Sequence, residues 1–260
     1  MLADAVRSAM EVLTSRPSAL VTDIDGTLSR IVARPEDAVV SEGARQSLRQ
    51  LADQLALVGV ITAREETVAR RMVGVDSLSY IGNYALAQDE AQAAWPRLDQ
   101  AKSRVRQAIE SLPCVTMEEK GLTFALHYRN CEEPGVRERL LGLVGPIATE
   151  EDAKLLEGKQ VVELAPRSLP DKGAAIARLA EDQGLRGLVF VGDDLSDVAV
   201  FREIARRRRE EGLPGLSIAV IDGETEPAVR EAADVEVSGV GEVEELLASL
   251  SLELRKDGGL

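Results

Sequence analysis

Histidine occurs once in this chain, at His127, and cysteine twice, at Cys114 and Cys131. No GxSxG, HExxH or GxxxxGK[ST] pattern is present, so triad hydrolase, zinc protease and P-loop chemistries lack their parts. GVGE at 239–242 lacks the third glycine of a dinucleotide fingerprint. Aromatic side chains make up only 3% of the residues, which leaves few platforms on which bases could stack. Positive charge is also short: 31 Lys and Arg stand against 45 Asp and Glu, and the formal net charge of -14 disfavours a phosphate backbone. Nucleic acid is not an expected partner. No apolar run reaches the roughly 18 residues of a membrane span. Asp4, Arg7 and Glu11 interrupt the first apolar residues, so a signal-peptide core is not expected either. Two cysteines without CxxC spacing resemble neither a disulfide framework nor a zinc site, and reduced thiols in a cytoplasmic protein are the expectation.

What is present is a chain of 260 residues, 45% hydrophobic and 29% charged, long enough for one large domain or for a core with a smaller insert. Apolar positions at Ala5, Ala9, Val12 and Leu13 predict a helix over 3–14 that Pro17 closes. Four short runs rich in Val, Ile and Leu, at 18–23, 55–62, 187–194 and 216–222, read as strands buried on both faces. Helical patterns at 41–54, 65–74, 171–184 and from Val240 onward alternate with them. That order predicts an α/β fold with a doubly wound, parallel, Rossmann-like sheet. The middle breaks the rhythm, with a helix over 95–112, two strands turning at Lys120-Gly121, a helix over 134–143, and strand-like pieces at 147–156 and 160–165. The expectation is a catalytic core from 1–87 and 167–260 and an inserted α/β cap domain over 88–166, with hinges near Ala87 and Pro166. The basic run from Arg206 to Arg209 reads as the solvated end of a helix, and His127 as a strand residue.

Open α/β sheets bind ligands beyond the carboxyl ends of their strands. Asp23, Asp25 and Thr27 follow the first run, Thr62 and Arg64 the second, and Asp193, Asp194 and Asp197 the third. Like charges about 4 Å apart repel by roughly 4 kcal/mol at an effective dielectric near 20, so the neighbours Asp23 and Asp25 need an offset. A divalent ion supplies one, and hard carboxylate oxygens beside a phosphate suit Mg2+. Side chains two residues apart on a strand aim the same way. Asp23 is therefore the expected nucleophile, forming an aspartyl phosphate, and Asp25 the group that protonates the departing oxygen and then activates water. Thr62 offers a hydroxyl to phosphate, and Lys172, at the start of a helix, a point charge. A DxDG standing alone is also compatible with an Asp-capped turn. A calcium loop is disfavoured because Thr27 stands where an acid or amide is wanted.

With these residues in this order, the chain resembles the haloacid dehalogenase superfamily, whose four motifs are similar to DIDGT at 23–27, Thr62, Lys172 and GDDLSD at 192–197. More narrowly, DIDGTLSRIVARPEDAVVS, ITAR, YIGN, EEKGLTFALHYR and VVELAP are similar to the trehalose-6-phosphate phosphatases. The resemblance implies an Mg2+-dependent phosphatase acting on a small sugar phosphate. Asp23 would be nucleophile and metal ligand, Asp25 the acid/base whose backbone carbonyl also binds the metal, and Asp193 the remaining acidic ligand, supported by Asp194 and Asp197. Thr27, Thr62 and Lys172 would hold phosphate, with Arg64 close to the substrate. In the insert, the family's ExK pattern falls on Glu118 and Lys120 and its VEV-type strand on Val162, Glu163 and Leu164, so Glu118, Lys120 and Glu163 are the sugar-hydroxyl candidates. A monomer is the expected state.

The chain departs from the family pattern at Tyr84 and Ala85, where GNHG is usual, and at Val198, where GDDxTDE has an acid. These departures bear on the sugar and on the metal's surroundings, not on the nucleophile. Two alternatives follow. One keeps the chemistry and changes the ester to a glucosylglycerol, mannosylglycerate or sucrose type. The other is a sugar-phosphate-binding regulator without turnover, against which the intact Asp23 and Asp25 stand.

Overall fold

Every residue of the first apolar run is buried, and Ser18–Thr22 forms β1 near the middle of a six-stranded parallel sheet. The structure is a computed structural model that describes residues 1–32, 34–82 and 95–257. Tyr84, Ala85 and the hinge expected at Ala87 lie outside the described residues. Beside β1 lie β2 (Leu57–Ile61) and β3 (Ser79–Ile81) on one side, and β8 (Gly187–Gly192), β9 (Gly215–Ile221) and β10 (Val235–Ser238) on the other. The chain thus winds outward in one direction from β1 and in the other from β8, and the reversal falls between these two neighbours. In open α/β sheets that is the crevice where ligands bind. Leu20 sits beside Val58 and Val189 in the ladder, so the tips of the three strands are level.

Helices pack on the sheet: α1 (Leu2–Leu13), α2 (Glu42–Ala52), α3 (Glu66–Val73), α6 (Lys172–Asp182), α7 (Val198–Glu211), α8 (Pro227–Ala232) and α9 (Gly239–Asp257). Ala5 and Ala9 of α1, Leu48 and Leu51 of α2, and Leu246, Leu247 and Leu250 of α9 enclose Leu20, Val58, Val189 and Val191 in one core. Truncating one such leucine to alanine costs about 2–5 kcal/mol. The opposite side chain of β8, Phe190, meets Phe201 of α7 edge to face at 6.0 Å. Both faces of the sheet are therefore covered, which is why its strands show no polar alternation. Ser41 caps α2 by accepting the Ala44 N–H at 3.0 Å and donates its hydroxyl to Glu244 of α9 at 2.7 Å, tying residues 203 apart. β3 and β10 have three and four residues, too few for a periodicity to show in the sequence. Among the described residues no helix is long and apolar enough to cross a membrane.

By contact density the chain divides into two units, Met1–Tyr84 with Asp171–Leu260, and Ala85–Pro170. The smaller unit holds α4 (Leu98–Ile109), β4 (Thr116–Lys120), β5 (Thr123–His127), α5 (Val136–Glu150), β6 (Ala153–Gly158) and β7 (Val161–Pro166). Its sheet is antiparallel in the order β4-β5-β7-β6. Phe124 and Leu126 of β5 and Val162 and Leu164 of β7 turn one face toward Val105 of α4 and Leu140 and Val144 of α5. The helix predicted over 134–143 runs on to Glu150, so the strand expected from 147 begins only at Ala153. Gly142, Gly145 and Pro146 suggest a break, yet Val136, Leu140, Val144, Ile147 and Ala148 are all buried. Burial of that stripe outweighs the hydrogen bond that Pro146 removes.

Cys114 and Cys131 form a disulfide, which overturns the expectation of two reduced thiols and the argument for a cytoplasmic setting that leaned on it. Linear spacing gave no sign of the pair. The hairpin register does: Thr116 lies opposite His127, so the residues just beyond the open end of β4 and β5 approach, with Cα atoms 5.1 Å apart.

Candidate active site

The Asp23 N–H donates to Val191 O at 2.9 Å, extending the β1–β8 ladder by one step past β1. That bond places the Asp23 side chain beside the turn that follows β8. In the turn, Asp197 reaches back and its Oδ2 accepts the N–H groups of Asp193 at 2.8 Å and Asp194 at 3.1 Å. Gly192 makes this possible, since a Cβ there would lie 2.4 Å from the Asp197 carboxyl carbon. Lys172 begins α6, whose cap Asp171 accepts the Ala174 N–H at 2.8 Å. The Lys172 ammonium lies 2.7 Å from Asp197 Oδ1 and 3.1 Å from Asp23 Oδ1. Asp23, Asp193, Asp197 and Lys172 are all buried, and they come from the ends of β1 and β8 and the start of α6.

Gly26 turns the chain after β1 with φ +87°, and a Cβ in its place would sit 2.0 Å from Asp193 Oδ2. The backbone at 26 thus forms one wall of the Asp193 carboxylate. Thr27, expected at phosphate, is fully buried and donates its hydroxyl to Asp193 Oδ1 at 3.1 Å. Asp25 is gripped by both arms of the Arg64 guanidinium, at 2.6 and 2.8 Å, and Arg64 also donates to Pro35 O at 3.2 Å. Thr62, buried just past β2, accepts the Arg64 N–H at 3.2 Å. Asp194 accepts from the Ser196 N–H at 2.8 Å and its hydroxyl at 2.6 Å. Asp23, Asp25, Thr27, Thr62, Arg64, Lys172, Asp193, Asp194 and Asp197 therefore share one end of the parallel sheet.

The electrostatics follow from burial of acids around a single lysine. Burial, then repulsion from Asp197, Asp193 and Asp194, holds the Asp23 carboxyl well above the usual carboxylate range despite Lys172. Burial likewise raises Asp197, with Asp194 adding to it against the pull of Lys172. Asp194 goes the other way: burial pushes it up, but the Lys172 charge and the hydrogen bonds from Ser196 and the Asp197 backbone bring it below the ordinary value. Carboxylate oxygens of Asp23, Asp193 and Asp197 lie within 4.8 Å of one another. Three hard oxygen donors with one ammonium between them leave a negative excess, and this donor set fits a divalent cation such as Mg2+. Both Asp197 oxygens are engaged by Lys172 and by backbone N–H groups, so Asp23 and Asp193 are the better placed pair.

Glu118, Lys120 and Glu163 gather in the smaller unit, on the sheet face opposite its helices. Lys120 Nζ lies 3.3 Å from Glu163 Oε2 and 3.9 Å from Glu118 Oε2. His127 joins them, its Nε2 2.7 Å from Glu118 Oε2. Sequence spacing alone marks His127 only as a strand residue. Alternation across the hairpin is the signal for it: with Lys120 opposite Thr123 and Glu118 opposite Ala125, His127 falls on the Glu118 face.

Comparison with known proteins adds to this geometry. The trehalose-phosphatase family model matches residues 21–236. A trehalose-phosphate phosphatase of Mycolicibacterium paratuberculosis is 30% identical over 245 residues, covering 88% of this chain and 62% of that protein. An uncharacterized glycosyl hydrolase of Mycobacterium tuberculosis is 34% identical over 207 residues, 73% of this chain but 15% of that protein. The chain thus spans less than two thirds of these relatives' length. The trehalose-6-phosphate phosphatase C-terminal domain of C. albicans superposes with a TM-score of 0.79 over 96% of each chain at 18% identity, a likeness of fold.

Proposed function

The chain belongs to the trehalose-phosphatase family, and from that premise we propose that it is an Mg2+-dependent phosphatase that hydrolyses trehalose 6-phosphate to trehalose and phosphate. The observation that carries the reading is the convergence of buried Asp23, Asp193 and Lys172 at the switch point of the sheet, where Asp23 Oδ1 lies 3.1 Å from the lysine. Phosphate monoesters are among the slowest compounds to hydrolyse unaided, so fixed charges must act together at the phosphorus. Asp23 attacks phosphorus through a carboxylate oxygen, the ester P–O bond breaks, and Asp25 gives a proton to the leaving sugar oxygen. In the second half Asp25 takes a proton from water, which attacks phosphorus and releases Asp23 and inorganic phosphate. The Arg64 fork fixes the orientation of the Asp25 carboxyl group for both proton transfers. Lys172 offsets part of the negative charge that would repel a phosphate, and it holds Asp23 and Asp197 apart at fixed distances. Asp23 and Asp193 would hold Mg2+, whose chemistry there is to draw negative charge from the phosphoryl oxygens.

For the sugar, the face carrying Glu118, Lys120, His127 and Glu163 offers acceptors and donors in alternation, the pattern that suits hydroxyl groups. Release of phosphate from a panel of phosphorylated sugars tests the whole reading. Trehalose 6-phosphate should be turned over in preference to sucrose, glucosylglycerol and mannosylglycerate phosphates, with activity lost in EDTA and restored by excess Mg2+. Asp23→Asn should be inactive. Full activity in that variant removes the covalent step, and no preference for the trehalose ester removes the substrate.

A further inference from the structure

β5 is an inner strand of the smaller sheet, flanked by β4 and β7, and its side chains Thr123, Ala125 and His127 form the middle row of the polar face. His127 lies at the Glu118 end. Ala125, fully buried, has Glu118 and Glu163 as its direct neighbours in the two ladders. Thr123 lies opposite Lys120 and diagonal to Glu163, which pairs with Ala125. It is 1% exposed, and its Oγ1 has no hydrogen-bond partner among the described residues. One strand away, Glu163 is 6% exposed; its Oε2 is held by Lys120, while its Oε1 likewise has no partner among the described residues. A buried polar group left unsatisfied costs about 1–3 kcal/mol. Two of them at diagonal positions on one face, beside a lysine, make a place where a ligand hydroxyl can donate to Glu163 and a neighbouring one exchange a hydrogen bond with Thr123.

We propose that Thr123 is a specificity-determining residue, its hydroxyl binding a sugar hydroxyl next to the one that Glu163 Oε1 accepts. The inference rests on the reading that this face contacts the sugar, and it adds a neutral donor and acceptor to a set otherwise made of charged groups and an imidazole. A hydroxyl at this point discriminates by hydrogen bonding, because a substrate without the matching group leaves the buried Thr123 oxygen unsatisfied.

The test uses the full chain with Mg2+, comparing kcat/KM for trehalose 6-phosphate with that for p-nitrophenyl phosphate. Thr123→Val keeps the shape and removes the hydroxyl. The ratio of the two constants should fall by about 3- to 10-fold, the worth of one neutral hydrogen bond. The melting temperature should meanwhile rise by about 2–4 °C, since an unsatisfied buried oxygen is gone. Thr123→Ser should restore the ratio. Glu163→Gln is the control for the underlying reading and should lower the same ratio. If Glu163→Gln lowers it and Thr123→Val does not, Thr123 holds buried water only and the inference falls by itself. If neither changes it, the sugar is read elsewhere and both ideas fall together.

Discussion

Replacing Gly26 by alanine isolates the claim that the backbone after β1 shapes the Asp193 carboxylate. The new Cβ would lie 2.0, 2.4 and 2.6 Å from Asp193 Oδ2, Cγ and Oδ1. Rotation of the carboxylate about its own axis exchanges one short contact for another, so the whole side chain must retreat. Ordinary contact begins at 3.4 Å, and the shortfall at Oδ2 is therefore about 1.4 Å. Misplacing a reacting or charge-bearing group by about 1 Å costs on the order of 100-fold in rate. The backbone effect is smaller: a side chain at φ +87° costs about 1–2 kcal/mol, which lowers the melting temperature by roughly 2–8 °C. Gly26→Ala should therefore fold, melt a few degrees early, and lose turnover by about two orders of magnitude at a temperature where it is fully native. Initial rates with trehalose 6-phosphate and calorimetry on the same sample decide it. A turnover within threefold of the parent would show that Asp193 need not stand where the structure puts it, and the account of the charge cluster would fail.

Other consequences are open to simple measurement. Asp23→Asn should melt above the parent in EDTA at neutral pH, because the buried Asp23 carboxyl titrates above its ordinary value and the parent loses stability as pH rises from that value through the folded one. The advantage should shrink at acid pH, and an unchanged difference across pH contradicts the repulsion. Lys172→Met leaves Asp23 and Asp197 buried without their cation and should cost about 3–5 kcal/mol of stability, partly recovered in millimolar Mg2+; a neutral effect in urea titration rejects the pairing. Replacing both Cys114 and Cys131 by alanine opens a loop of 17 residues and should cost about 3 kcal/mol in the smaller unit, read by hydrogen exchange in β4 and β5. Equal exchange in the two proteins means the disulfide is absent in solution.

The order of motifs along the chain was legible because the parallel sheet converts sequence into place. Each buried strand runs the same way, so whatever follows its last apolar residue lands at one end, and the sequence alone groups Asp23, Thr62 and Asp193. Lys172 could be grouped with them because a lysine at the start of a helix is a local feature. The contacts between these groups could not be read in the same way. Thr27 lies two residues after Asp25 and reads equally well as a phosphate ligand; its bond to Asp193 joins residues 166 apart, and no local pattern encodes it. The fork of Arg64 on Asp25, 39 residues away, has no local signature either.

In the smaller unit the balance is reversed, because antiparallel pairing depends on a register that the turn sets. Once Lys120 and Thr123 are paired across Gly121-Leu122, Glu118 shares a face with His127 and Thr123 falls beside Lys120; the turn in which the Cys131 N–H donates to Tyr128 O then brings Cys131 to Cys114. A two-residue turn with Gly121 at φ +72° is enough to fix that alignment. The histidine–glutamate contact and the placing of Thr123 beside Lys120 thus share one cause, and the disulfide needs the turn after β5 as well. A one-residue shift of the hairpin would exchange the Phe124 and Leu126 face for the Thr123 and His127 face, and burial of Phe124 in the helix-covered core forbids it. The hydrophobic face of β5 therefore holds the polar face in register, which under the proposed function ties core packing to sugar recognition: Phe124→Ser should disturb Glu118, Thr123 and His127 together. Hydrogen exchange across β4 and β5 would show that loss as a single cooperative unit, and independent behaviour of the two strands would break the link.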